Sequence, residues 1–327
     1  MSRPRNVAGA RASFGAVARA ALAAATLLAI GAFALGCGLG PGSAPTAVQL
    51  LVTRDFGASA VHVWSAPQVR GEETAMSLLT RNARVDTRYG GGFVQSIDGL
   101  SGGQEGSAPV DWFYYVNGIE AAKGAASTNV HPGDHIWWDR HDWSQTDDVP
   151  AVVGSFPEPF LNGIEGKRLP VRVECAVVGA EACNTVTGRL RAAGVPAAIS
   201  GLGSGIGALQ TLRIAVAPFA SLETDPGVRN IARGPRASGV YARFDAHGAT
   251  LALLDEAGRA VQRLGAGAGL IAATRTGEEA PVWVVTGTDA SGVTRAARAF
   301  DEASLKDRFA LAVDSAGALA LPRRGSS

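Results

Sequence analysis

Hydrophobic and polar positions alternate with two different periods along the chain, and each change of period marks an element. After an apolar run at residues 20–35, β-branched runs at 48–55 and 60–64 flank Phe56-Gly57-Ala58-Ser59, which is hairpin spacing. Residues 72–82 then switch to helical spacing. Ala75, Met76, Leu78 and Leu79 form one apolar face, and Thr74 is placed to cap the first turn. Strand-like runs return at 85–88, 93–97, 110–116 and 135–143, with turns rich in Gly and Ser between them. Two strands, one helix and then more strands is the order of a β-grasp, so an α+β, β-grasp-like domain is expected over residues 46–147.

Beyond residue 147 the pattern alternates in type. Strands are expected at 169–174, 211–216, 239–244 and 250–255, and a helix at 183–193 ended by Gly194. Residues 282–286 are a continuous apolar run of the kind buried on both faces of a sheet. A turn at 287–293 offers Thr288 or Asp289 as a cap, a helix should run to about Lys306, and a last strand is expected at 309–314. This predicts an α/β layered C-terminal domain at 148–321 with a tail at 322–327. Aromatic residues support the boundary, since five of the six Trp and three of the four Tyr fall between Thr46 and Asp147.

Composition narrows the class. With 327 residues, 46% hydrophobic and 18% charged, the chain has the apolar material for packed cores, which excludes wholesale disorder. The formal charge of +1 is misleading, because Arg3, Arg5, Arg11 and Arg19 lie in the first 36 residues with no acid, leaving a net acidic body. That charge balance argues against a nucleic-acid partner.

The same first 36 residues carry an address. An Arg-bearing start, an apolar run shorter than the ~20 residues of a bilayer span and small residues at its end make a signal peptide over 1–36. Ala34-Leu35-Gly36-Cys37 resembles a bacterial lipobox, which implies lipidation of Cys37 and a membrane partner through that anchor. Residues 37–45 then read as a flexible Gly/Pro/Ser tether. The expected location is the outer face of the bacterial cell membrane. In that oxidising compartment Cys175 and Cys183, eight residues apart, are expected to form a disulfide.

One resemblance covers residues 46–145. Asp111-Trp112-Phe113-Tyr114-Tyr115-Val116-Asn117-Gly118, followed by Val130 to Trp137 with its Gly133-Asp134 turn, resembles a family of bacterial extracellular domains of unassigned function. That family is in turn similar to the C-terminal β-domain of the cobalamin carriers transcobalamin and intrinsic factor. The resemblance implies a corrinoid ligand, although the animal carriers hold theirs against a helical barrel that this chain does not encode. Alternation puts Trp112, Tyr114 and Val116 on one strand face, expected to be core, and Phe113 and Tyr115 on the other. The outer face, with one of Trp137 or Trp138, is the expected platform for a flat amphipathic ligand. Asn117-Gly118 is also the strongest short hairpin signal, and Gly133-Asp134 a tight-turn signal, with no ligand required.

Other constellations are poorer in chemistry. His135, Asp139 and His141 share strand parity, but residues four apart along a strand stand ~13 Å apart, so no metal site is expected. The Gly-rich stretch from Gly201 to Gly207 lacks the Lys-Ser/Thr of a phosphate loop and reads as a connection. No nucleophile stands in a Gly-x-Ser-x-Gly elbow, so no catalytic residue, cofactor or enzymatic activity is expected. The function that follows is a cell-envelope lipoprotein that binds or presents a ligand, a corrinoid for uptake, with an envelope transport partner. The alternative is a non-enzymatic structural or protein-interaction module of the envelope with no small-molecule ligand.

Overall fold

The computed structural model describes residues 44–208 and 210–324. The signal segment, Cys37 and most of the tether lie outside the described residues, as do the last three residues of the tail. The described chain is a mixed α/β structure in which strands predominate and form several sheets.

The N-terminal half begins with the expected hairpin, β1 (Gln49–Arg54) and β2 (Ser59–Trp64), paired antiparallel. Helix α1 (Ala75–Asn82) follows, and Thr74 does cap it: its hydroxyl accepts from Ser77 N at 3.2 Å while Ser77 Oγ accepts from Thr74 N at 2.8 Å. Strands β3 (Val85–Arg88), β4 (Phe93–Ile97) and β5 (Leu100–Ser101) make a small antiparallel sheet. Strands β6 (Gly103–Glu105), β7 (Ala108–Val116), β8 (Ile119–Glu120) and β9 (His135–Asp142) complete the first large sheet in the order β2-β1-β9-β7-β6. Strand β1 runs parallel to β9 at its centre, a pairing that needs a long crossover, and α1 with the small sheet provides it.

This sheet is apolar on both faces. One face carries Leu50, Val52, Trp112, Tyr114, Ile136 and Trp138 into a core closed by Ala75, Met76, Leu78 and Leu79 of α1. The opposite face carries Leu51, Tyr115 and Trp137 into a second core, shared with Val149, Val152, Tyr241 and Phe309 from beyond residue 147. The two halves are therefore packed through one continuous core.

The C-terminal half adds β10 (Val171–Cys175), α2 (Glu181–Ala192), β11 (Ala198–Gly201), β12 (Leu212–Pro218) and the single turn α3 (Pro235–Ser238). The hairpins of β13 (Ala242–Phe244), β14 (Leu251–Leu254) and β15 (Ala260–Leu264) form a three-stranded sheet. Then come β16 (Gly269–Thr274), β17 (Val282–Gly287), α4 (Ala290–Arg298), α5 (Glu302–Leu305), β18 (Ala310–Val313) and β19 (Ala318–Leu321). The main sheet has the order β11-β10-β12-β17-β16-β18-β19. Its first four strands are parallel and the rest antiparallel. Helices α2 and α4 cover one face through Val186, Leu190, Val293 and Ala296. As expected, β17 is buried along its whole length.

The expected disulfide is present: Cys175 and Cys183 are bonded with Cα atoms 5.9 Å apart, tying the end of β10 to the first turn of α2. The single helix expected up to Lys306 is instead two. Asp301 accepts from Ser304 N at 2.9 Å and caps a new start, while Phe300 turns inward onto Trp283. The strand at 310–313 is also not the last, because β19 pairs with it. Strands β11, β16 and β19 escape the hydrophobic pattern because they are short or built largely of Ala, Gly and Leu, which lack the β-branched signature, and β15 escapes it because it is mostly exposed and carries Gln262 and Arg263.

Candidate functional site

The aromatic strand has no open face. Trp112, Tyr114 and Trp138 are buried in the α1 core as expected, but Tyr115 and Trp137 are both fully buried, at 0% exposure, in the core shared with the second half. Phe309 packs edge-on against both, at centroid distances of 5.6 and 5.3 Å. Phe113 alone is half-buried, stacked on the His141 ring at 4.4 Å. The expected ligand platform of Phe113, Tyr115 and Trp137 is thus corrected: the second half of the chain covers the face that would have carried it. The polar handles mostly serve the fold. Trp112 Nε1 donates to Leu100 O at 3.1 Å, Trp137 Nε1 to Thr53 Oγ1 at 2.7 Å, and the Tyr114 hydroxyl meets Thr128 Oγ1 at 2.9 Å.

Asn117 and Gly118 do form the turn between β7 and β8, with φ of 54° and 76°. The primed hairpin turns require such positive values. The Asn117 side chain has a second task. It is buried, donates from Nδ2 to Asp134 Oδ1 at 2.8 Å and to Gly163 O at 3.0 Å, and accepts from His135 N at 2.9 Å. A strap over residues 148–152 continues the join, with Val152 N donating to Gly118 O at 2.8 Å and Glu120 N to Pro150 O at 3.2 Å.

The remaining polar clusters are internal supports. Asp139 and His141 meet, Oδ1 to Nδ1 at 2.8 Å, and Asp139 also accepts from Phe56 N at 3.1 Å, Gly57 N at 2.8 Å and the Thr53 hydroxyl. Its carboxylate thereby holds the β1–β2 turn, where Asp55 and Phe56 sit at positive φ. His135 points elsewhere, stacked on Trp137, and burial pushes its pKa down to about 4. The Gly-rich connection is an anion cradle, but its anion is Glu174. Gly203 N and Gly205 N donate to the Glu174 carboxylate at 3.2 and 2.6 Å, and Arg213 pairs with it through Nη2 at 2.8 Å.

What sequence reasoning missed is a groove where the two halves meet. Three adjoining depressions, of about 340, 270 and 210 Å3, share Arg275 and Glu278. The first half contributes Ile119 to Lys123 around β8, Thr128 and His131, and the second contributes Ile164, Glu165, Arg275 and residues 277–281. Val116, Ile119, Ala121, Ile164, Leu169 and Ala280 give it apolar walls. Lys123 Nζ and Glu165 Oε1 pair across one mouth at 2.9 Å. Glu120 is half-buried and lines two of the depressions, its Oε2 accepting from Val149 N at 2.7 Å. Burial, together with the neighbouring Asp148 and Asp147, pushes its carboxyl up to about 8, so it is protonated at neutral pH. These residues lie up to about 160 positions apart, and only the paired turns bring them together.

Comparison with known families places this groove at the border of a recognised segment. Residues 72–142, from just before α1 to the end of β9, match a domain of unknown function (DUF4430). The segment supplies one wall of the groove, and the chain outside the match supplies the other. No curated protein matches the chain.

Proposed function

We propose that this is an exported, lipid-anchored cell-envelope protein that binds a small molecule in the groove between its two halves and presents it at the membrane. The observation that carries the reading is the groove itself: an apolar-walled depression lined by a half-buried neutral acid, formed where the matched segment meets the rest of the chain. Binding is favoured over catalysis because the polar side chains with catalytic potential, Asp139, His141, Glu174 and Arg213, are engaged in holding loops. The lipobox-like Ala34 to Cys37 supports the address. The strand order β2-β1-β9-β7-β6, with β1 parallel to β9 and α1 on one face, supports a β-grasp-like first half. Its resemblance to the cobalamin-carrier β-domain makes a corrinoid the first ligand to assay.

The test is titration of the isotope-labelled full mature chain with a corrinoid and a small-molecule library, read by backbone amide shifts. Shifts gathered at Ile119, Ala121 and Ile164, and lost in Ile164→Trp, support the reading; a library without any ligand shifting these residues sinks it. Retention of the protein in the membrane fraction, lost in Cys37→Ala, tests the address. A second reading, a protein-interaction module, rests on exposed apolar side chains beside the disulfide, Val177 at 66% and Val178 at 59% exposure. Stable protein partners lost in a Val177→Ser, Val178→Ser variant would favour it.

A further inference from the structure

We propose that the ligand of the groove carries a carboxylate on an apolar body and that Arg275 is the residue that binds the carboxylate. The inference rests on the groove being the binding site. Arg275 borders all three depressions of the groove and also a fourth, of about 210 Å3, lined by Gly205 to Ala208 and Arg213. It is half-buried at the end of β16, and its Nε donates to Glu279 O at 2.8 Å, which fixes the plane of the guanidinium. Among the described residues no carboxylate pairs with its terminal nitrogens, whereas Lys123 is engaged by Glu165, and Lys167, which borders one of the depressions, is exposed and lacks a planar fork. Arg213, in the fourth depression, is likewise committed to Glu174 and Asp225. Glu278 borders the same three depressions but forms no ion pair with Arg275, and a pre-oriented guanidinium fork whose terminal nitrogens are unpaired fits the two oxygens of a carboxylate.

The surroundings fit the rest of such a ligand. Ile119 and Ile164 offer apolar walls for its body. Glu120 borders two of the same depressions as Arg275, and as a neutral acid hydrogen-bonded to Asp148 it adds no charge of its own to the groove. The groups around Glu120 are Asp148 on the strap and Asp147 just before it, the Val149 amide that it accepts from, Tyr115 opposite it in the β7–β8 pairing, and, lining the same depressions, Lys123, His131, Glu165, Arg275 and Glu278. Above pH 8 Glu120 ionises and loses its proton, and the affinity for a carboxylate should then fall.

The experiment is calorimetric titration of the full mature chain with phenylacetate and hexanoate, against their amides and against phenethylamine and hexylamine. The two carboxylates should bind at least about tenfold more tightly than the amides or amines, as expected for a hydrogen bond to a charged group. Arg275→Ala should abolish that preference, and Arg275→Lys should restore only part of it, because an ammonium lacks the planar fork. Arg275→Met, which keeps the apolar stem, serves if the alanine variant folds poorly. Equal or tighter binding of the amines, a preference that survives Arg275→Ala, or no binding of either carboxylate overturns the proposal. If other library members still shift Ile119 and Ile164 in that case, the groove remains the binding site and only the carboxylate inference fails.

Discussion

Asn117 Nδ2 donates to Asp134 Oδ1 at 2.8 Å, joining the turn that ends β7 to the turn that starts β9. The same side chain reaches Gly163 O, so one asparagine ties both turns to the chain that leads into the second half. Gly163 stands beside Ile164, so this join also sets the far wall of the groove.

Asn117→Gly isolates the side chain, because glycine keeps the positive φ of the turn while removing three hydrogen bonds. It leaves Asp134 Oδ1, Gly163 O and His135 N, all on buried residues, without this partner. The expected loss is about 2–4 kcal/mol in urea unfolding. Faster amide exchange should appear around Gly163 before it appears in α2.

The aromatic strand should not separate into a stabilising face and a binding face. Trp112→Ala, Tyr114→Ala, Tyr115→Ala and Trp137→Ala each empty a packed core position and should each cost about 3–5 kcal/mol. Phe113→Ala, at a half-buried position, should cost less. A Tyr115→Ala or Trp137→Ala variant that melts near the parent protein would show that the second half does not cover this face.

Stability should fall as pH rises from about 4.5 towards 8. Burial first, then Asp148, raises the Glu120 carboxyl to about 8, and burial raises Glu158 to about 7, both from an ordinary 4.5. Each folded-state pKa lies above its unfolded value. The stabilisation is therefore complete below pH 4.5 and lost as pH passes through the folded value. His135 acts with the opposite sign, its value being lowered to about 4, so it adds stability between pH 4 and 6.5. Glu120→Gln should flatten the decline between pH 4.5 and 8, on the order of 1–3 kcal/mol, in melting curves across that range.

Glu174→Gln should cost about 1–3 kcal/mol, because the buried Arg213 guanidinium keeps Asp225 as its counter-charge but, with the Gly203 and Gly205 amides, loses a charged acceptor. Protease sensitivity should rise first within residues 201–208, whose Gly203 and Gly205 amides lose a charged acceptor.

Local chemistry was legible in the sequence wherever a few adjacent residues decide it. The Thr74 cap, the Asn117-Gly118 turn, the β1–β2 hairpin, the fully buried β17 and the Cys175–Cys183 bridge all follow from propensity, turn geometry or short spacing. The strand at 110–116 also announced two apolar faces through the alternation of Trp112, Phe113, Tyr114 and Tyr115. Periodicity can say that a face is apolar. It cannot say what lies against it, and here Val149, Val152 and Phe309 fill the place in which a ligand was expected. The groove was decided by tertiary structure alone, because Ile119, Ile164 and Arg275 are far apart in the chain and none belongs to a motif. Their meeting depends on long-range hydrogen bonds such as Asn117 to Gly163, and the raised pKa of Glu120 depends on burial by a strap that no local pattern foretells.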